Sequence, residues 1–160
     1  MNKIVRVGIA QMNICKAPDR IMTVGLGSCI GVVIYDEIKQ IAGMVHIMLP
    51  DSAQIKKNQN KLKFADTGID ALLDELYIWG VDKYSLKAKI AGGARMFQLQ
   101  AEQIGNIGDK NIEAVHMKLM EKKIPLIAED VGLNFGRSIV FDPVTCELVI
   151  MTSGKQKKII

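Results

Sequence analysis

The chain reads as an α+β protein, a single-domain layered α/β sandwich with mostly antiparallel strands and two main helices. Three patterns carry that reading: a β-hairpin over residues 29–48, two amphipathic helical stretches after it, and three consecutive strand-like runs near the end. Strands that follow one another directly, rather than alternating with helices, point to layers around a largely antiparallel sheet. With 160 residues, 49% of them hydrophobic and 24% charged, the chain is long and apolar enough for one core, and residues 1–160 are expected to form one domain.

In chain order, Ile4 to Ala10 alternates apolar with polar or small residues, as a strand does, and Lys16-Ala17-Pro18-Asp19-Arg20 has turn chemistry. Ile21 leads into the glycine-rich Thr23-Val24-Gly25-Leu26-Gly27-Ser28-Cys29. Cys29 to Tyr35 and Ile41 to Met48 are apolar and rich in β-branched residues, with polar Asp36 to Gln40 between them, which is the hairpin. Asp51 to Lys63 is polar, cannot bury a face, and is expected to be a mobile loop. Asp66 or Thr67 is placed to cap a helix with Ile69, Leu72, Leu73, Leu76 and Trp79 at helical spacing, ended by Gly80. Leu86 to Ala91 is a strand closed by Gly92-Gly93, and a second helix from about Asp109 to Lys123 turns Ile112, Val115, Leu119 and Met120 inward. Pro125 to Glu129, Ser138 to Asp142 and Glu147 to Thr152 are the closing strands, with Asp142-Pro143-Val144-Thr145 as a turn. Residues 153–160 form a basic tail that is expected to fray.

Composition narrows the function. Three cysteines, an odd number without regular spacing, argue against a disulfide framework and for a reducing, cytoplasmic setting. The first residues carry Arg6 in their apolar run and no small-residue cleavage site, so they do not read as a signal peptide, and no apolar run reaches the ~20 residues of a membrane span. The net charge of +4 owes much to Lys155, Lys157 and Lys158 in the tail, and aromatics are only 5%, so neither a basic patch nor a stacking platform for nucleic acid is expected. Neither C-x-x-C nor H-x-x-x-H occurs, so no metal site is expected.

The chemistry concentrates in Cys29 and His46. A thiol attacks only as thiolate and needs a base or backbone dipoles beside it. If the hairpin connection has an even number of residues centred between Glu37 and Ile38, Cys29 and His46 are direct cross-strand neighbours with Cβ atoms roughly 4.5–5.5 Å apart. An odd connection puts them on opposite faces. Gly25 and Gly27 leave the chain free to turn backbone N–H groups, those of Ser28 and Cys29, towards an oxyanion. Thr23 is placed to accept from the second imidazole nitrogen and fix the tautomer. The same residues also fit a small buried thiol at a strand start, a satisfied core histidine and a β-branched strand residue, and Ser28 is an alternative nucleophile. Cys29 is preferred because a thiol is the better nucleophile at neutral pH. Cys15 and Cys146 have no histidine near in sequence, His116 flanks a helical apolar stripe, and Gly92-Gly93-Ala94-Arg95 and Gly105-Asn106-Ile107-Gly108 lack a full phosphate-loop pattern.

T-x-G-x-G-S-C, from Thr23 to Cys29, and H-x-x-L-P, from His46 to Pro50, resemble the chemoreceptor glutamine deamidase family CheD. Phe64-Ala65-Asp66-Thr67, Lys89 to Ala94 with Met96-Phe97, Ile107-Gly108 with Asn111, Ala128 to Gly132 and Gly136-Arg137 are similar to its later blocks, so the resemblance spans nearly the whole chain. It departs at Leu133, where the family usually has a second glycine, and at Cys146, where it usually has glycine after threonine. The resemblance implies hydrolysis of receptor glutamine side chains to glutamate with release of ammonia. Cys29 would then be nucleophile, His46 base and acid, and Thr23 its orienting residue, with no cofactor. It further implies a CheC-type phosphatase as partner and a fold similar to the catalytic domain of the cytotoxic necrotizing factor toxins. Two competing readings are a small cysteine protease and a non-enzymatic adaptor that binds such a phosphatase.

Overall fold

Two five-stranded sheets stack face to face, and two helices cover the outer face of one of them, giving three layers. The computed structural model describes residues 2–53, 60–96 and 106–160. In chain order these hold β1 (Ile4–Val7), β2 (Met12–Lys16), β3 (Arg20–Leu26), β4 (Ile30–Asp36), β5 (Ile41–Ile47), α1 (Ala65–Ile78), β6 (Leu86–Gly92), α2 (Ile107–Glu121), β7 (Leu126–Val131), β8 (Arg137–Asp142), β9 (Glu147–Met151) and β10 (Lys158–Ile159). One sheet runs β1-β3-β8-β9-β10 and the other β2-β5-β4-β6-β7. Most pairings are antiparallel, while β1 with β3 and β6 with β7 are parallel.

β4 and β5 are buried at every position. That is why their sequences read as continuous apolar runs instead of alternating: each face meets a different core. Ile30, Val32, Ile34, Val45 and Ile47 pack under Ile69, Leu72 and Leu76 of α1 and Val115 and Leu119 of α2. On the other face Val33, Tyr35, Ala42 and Met44 meet Ile21, Leu26, Ile139, Phe141 and Ile150 of the opposite sheet. Cys29 packs against the edge of this inter-sheet core.

Several expectations are corrected. β2 is a strand over Met12–Lys16, where no element is expected, and the expected turn follows it, with the Asp19 N–H donating to the Lys16 carbonyl at 3.0 Å, while β3 is a strand where a glycine-rich approach is expected. Asp66 does not cap α1: the cap residue is Phe64, with no side-chain bond, because the Asp66 carboxylate accepts the Ser52 hydroxyl at 2.8 Å. Thr67 donates to the Lys61 carbonyl instead. Gly80 follows the end of α1, as expected. α2 starts two residues early, capped by Asn106, and Met120 faces outward at 77% exposure. The tail ends in β10, paired with β9, and the Ile160 N–H donates to Leu148. Of the 51–63 loop, residues 54–59 lie outside the described residues, while Lys61–Lys63 form a 3-10 turn capped by Asn60.

Candidate active site

The hairpin register decides where the thiol and imidazole stand. Gly31 lies opposite His46 and Ile30 opposite Ile47, so the connection is even but centred one residue later than the neighbour geometry requires. Continued one residue past β4, that register would set Cys29 against Met48 with His46 diagonal to it; Cys29 itself lies in the bend before β4 and packs against the inter-sheet core. Diagonal pairs stand roughly 7–8 Å apart, the Cβ atoms somewhat closer. The expected direct cross-strand pairing of Cys29 with His46 is thus corrected, since Gly31 takes that place. His46 Nε2 is buried and has no hydrogen-bond partner among the described residues, Cys29 included. Hydrogen bonds between catalytic groups are often long without substrate and tighten in the complex.

Gly31, directly opposite His46, also lets the two sheets approach. A Cβ there would come within 2.6 Å of Ile139 Cδ1 and 3.4 Å of Thr23 Cγ2. Through that close contact Thr23, on β3 of one sheet, reaches His46, on β5 of the other. Thr23 Oγ1 is 2.7 Å from the Val7 carbonyl and 2.7 Å from His46 Nδ1. A carbonyl only accepts, so the single hydroxyl proton goes to Val7 and the oxygen must accept from Nδ1–H. The neutral imidazole is thereby held with Nε2 bare, the arrangement of a general base. Burial lowers the His46 pKa from 6.5 to about 4, so the ring is neutral at pH 7. Burial likewise pushes the Cys29 thiol up, against a smaller opposing pull from its own backbone N–H. Both shifts favour the neutral thiol and imidazole at rest.

The backbone before Cys29 is gripped from behind. The carbonyls of Gly27, Ser28 and Cys29 accept from Ala94 N–H, Asn111 Nδ2 and Gly93 N–H, each at 2.9 Å. In a trans peptide the N–H points opposite the preceding carbonyl. The Ser28 and Cys29 N–H groups therefore face away from those supports, and among the described residues neither donates to another residue. Gly92 has φ +120, and a Cβ there would stand 2.1 Å from the Cys29 carbonyl, so only glycine fits this crossing. The Gly92-Gly93 pair thus braces the Cys29 segment.

Two residues that the motif blocks contained without a role prove to be buried supports. Asn111 is fully buried. Arg137 is 2% exposed, with Nε on Asp130 at 3.0 Å and an NH1 bond to the Gly132 carbonyl at 3.0 Å. Buried polar groups with specific partners are the signal that would have marked both, but burial is not visible in a sequence. Cys15 is buried, its thiol pushed up to about 12 chiefly by desolvation, and Cys146 lies in a turn against the Pro143 carbonyl. His116 pairs with Glu129 on the surface. Among the described residues no cluster suited to a metal is present, and no helix is long and apolar enough to cross a membrane.

A solved structure described as Bacillus licheniformis hypothetical protein YfiH aligns at TM-score 0.43 and 15% identity, covering 72% of this chain and 47% of that one. Sequence relatives are much nearer. The chain is 52% identical to a probable chemoreceptor glutamine deamidase CheD of Lachnoclostridium phytofermentans, over 99% of this chain and 100% of the relative. It is 51% identical to the chemoreceptor glutamine deamidase CheD of Halalkalibacterium halodurans, over 99% of each. A probable CheD of Clostridium botulinum matches at 50% over 95% of this chain and 94% of its own length. The family model for CheD chemotactic sensory transduction matches residues 48–152, a stretch that starts just after His46, whereas the full-length relatives span the segment from Thr23 to His46 as well. On a family match over more than half its length and full-length relatives at half identity, this chain belongs to the CheD family.

Proposed function

We propose that this chain is a chemoreceptor glutamine deamidase in which Cys29 is the nucleophile, His46 the general base and acid, and Thr23 the residue that orients it. What carries the assignment of roles is the Thr23 hydroxyl: by donating to Val7 it leaves His46 Nε2 bare. The substrate class comes from the relatives, which bear the deamidase name at half identity over their full length.

In the first step His46 Nε2 takes the Cys29 proton as sulfur bonds to the glutamine amide carbon. The resulting oxyanion lies against the Ser28 and Cys29 N–H groups. The imidazolium then protonates the leaving nitrogen, the C–N bond breaks, and ammonia leaves a thioester. His46 next deprotonates a water, which attacks the thioester carbon. The C–S bond breaks, the proton returns to sulfur, and the product is glutamate. A resting neutral pair suits this sequence, because the proton moves only when the bond forms. No cofactor enters any step.

The reading extends to a cytoplasmic setting, to a CheC-type phosphatase that competes with receptor substrate, to a 51–63 loop bordering the substrate groove, and to a fold like the cytotoxic necrotizing factor catalytic domain. The test is the intact mass of a receptor cytoplasmic fragment after incubation with wild type and with Cys29→Ala. Each deamidation adds about one dalton and leaves the chain whole. A gain with wild type alone is expected. Chain cleavage would favour the protease reading, and binding of a CheC-type partner without any mass gain would favour the adaptor.

A further inference from the structure

Asn111 sits on α2, outside the sequence segment proposed to carry the nucleophile and base, yet it bonds backbone flanking both β4 and β5. Its side chain is fully buried, and Nδ2 donates to the Ser28 carbonyl and to the Met48 carbonyl, each at 2.9 Å. Both contacts are carbonyl oxygens, so the amide nitrogen must face them. Regular pairing of β4 with β5 ends at Ile30 and Ile47. Asn111 therefore bridges Ser28, two residues before β4, and Met48, the residue after β5, at the open end of the hairpin. Its Oδ1 is buried and has no partner among the described residues, so the contacts seen there are made by its donors.

We infer that Asn111 is a positioning residue that locks the Ser28–Cys29 peptide with its carbonyl towards α2, and so holds the Cys29 N–H in place to receive the oxyanion. A flip of that peptide would turn the Ser28 carbonyl into the space where negative charge develops. Two neighbouring contacts support the same orientation: the Gly27 and Cys29 carbonyls are also held on the supporting side, by Ala94 and Gly93. The inference rests on the assignment of Cys29 as nucleophile.

Two rates on one protein separate this role from a merely structural one. Amide hydrolysis passes through an oxyanion, whereas alkylation of Cys29 by iodoacetamide is a displacement at carbon that forms none. Asn111→Ala and the isosteric Asn111→Asp, whose carboxylate repels both carbonyls, are compared with wild type for folding by circular dichroism, for kcat and KM on a receptor fragment, and for Cys29 alkylation. The expected result is a fall in kcat of about 10²-fold or more, the scale of losing one oxyanion donor, with KM and the alkylation rate within about twofold of wild type. Unchanged kcat in folded variants would overturn the inference. So would an equal fall in alkylation and deamidation, or failure of both variants to fold, since each assigns Asn111 to general structure. Cys29→Ala separates the two levels: its inactivity beside fully active Asn111 variants overturns only this inference, and its full activity overturns the nucleophile assignment and this inference together.

Discussion

The imidazole and the thiol of this site are held by opposite means. His46 is fixed by a side chain, the Thr23 hydroxyl, across the seam between two sheets. Cys29 is fixed through its backbone, by a main-chain brace at Gly93 and Ala94 and by Asn111 beneath Ser28. Side-chain fixing selects a tautomer, and backbone fixing orients amides. In the proposed mechanism the general base needs the first and the oxyanion site the second, so the two halves would divide the work of acyl transfer between them.

The largest expected effect is at the imidazole. Removing the general base with His46→Ala is expected to lower kcat by about 10⁴-fold, the upper range for acid–base catalysis, while Cys29 stays available to slow alkylation. A loss below tenfold would show that another group takes the proton. Thr23→Val keeps the shape of the residue and deletes the oxygen that accepts Nδ1–H. Without it the ring is free to take the other tautomer, and a fall of about 10²-fold in kcat with little change in KM is expected. Steady-state kinetics on a receptor fragment measures both.

The buried imidazole also makes stability depend on pH. His46 has a folded pKa of about 4 against 6.5 for the ordinary group, so between those values the unfolded chain holds the proton more tightly. Its contribution is at its full value above about pH 6.5 and is lost as pH falls towards 4. The loss is roughly 3 kcal/mol. Denaturant unfolding from pH 8 to pH 4 should show this slope in wild type and lack it in His46→Asn.

The smallest effect lies away from the site. Leu133 and Cys146 have φ of +61 and +59, in the left-handed region that favours glycine. These are the two positions at which the chain departs from the glycines of the resembling motifs. Leu133→Gly relieves roughly 1–2 kcal/mol of backbone strain and adds back part of that as chain entropy, for a net gain of about 1 kcal/mol. Thermal unfolding would register it as a rise of about 3 °C, and a lower melting temperature would refute it.

What could be read from sequence follows the same division. The β4–β5 hairpin was legible because both strands are buried on both faces and so read as unbroken apolar runs. α1 and α2 were legible because Ile69, Leu72, Leu76, Val115 and Leu119 recur at the helical period. β3 was not, because Gly25 interrupts its alternation where the register with β8 shifts between Thr23 and Leu26, and β2 was hidden by the turn residues that follow it. The terminal β10 is two residues long, too short for any pattern. Thr23 and Cys29 stand in one motif and His46 opens another, and Thr23 Oγ1 lies 2.7 Å from His46 Nδ1. The pairing of Cys29 with His46 was harder: a shift of the turn centre by one residue moves Cys29 two positions along β5, and polar Asp36 to Gln40 could not fix that. Asn111 and Arg137 act through burial and backbone carbonyls, which leave no periodic trace.

The claim at the centre is that His46 waits as a neutral ring with its proton on Nδ1. Nitrogen-15 NMR of the histidine side chain, titrated from pH 8 to pH 4, measures tautomer and charge together. The structure predicts an Nδ1–H ring that stays neutral until the pH approaches about 4, and loss of that tautomer in Thr23→Val. An Nε2–H ring, or protonation near 6.5, would contradict it.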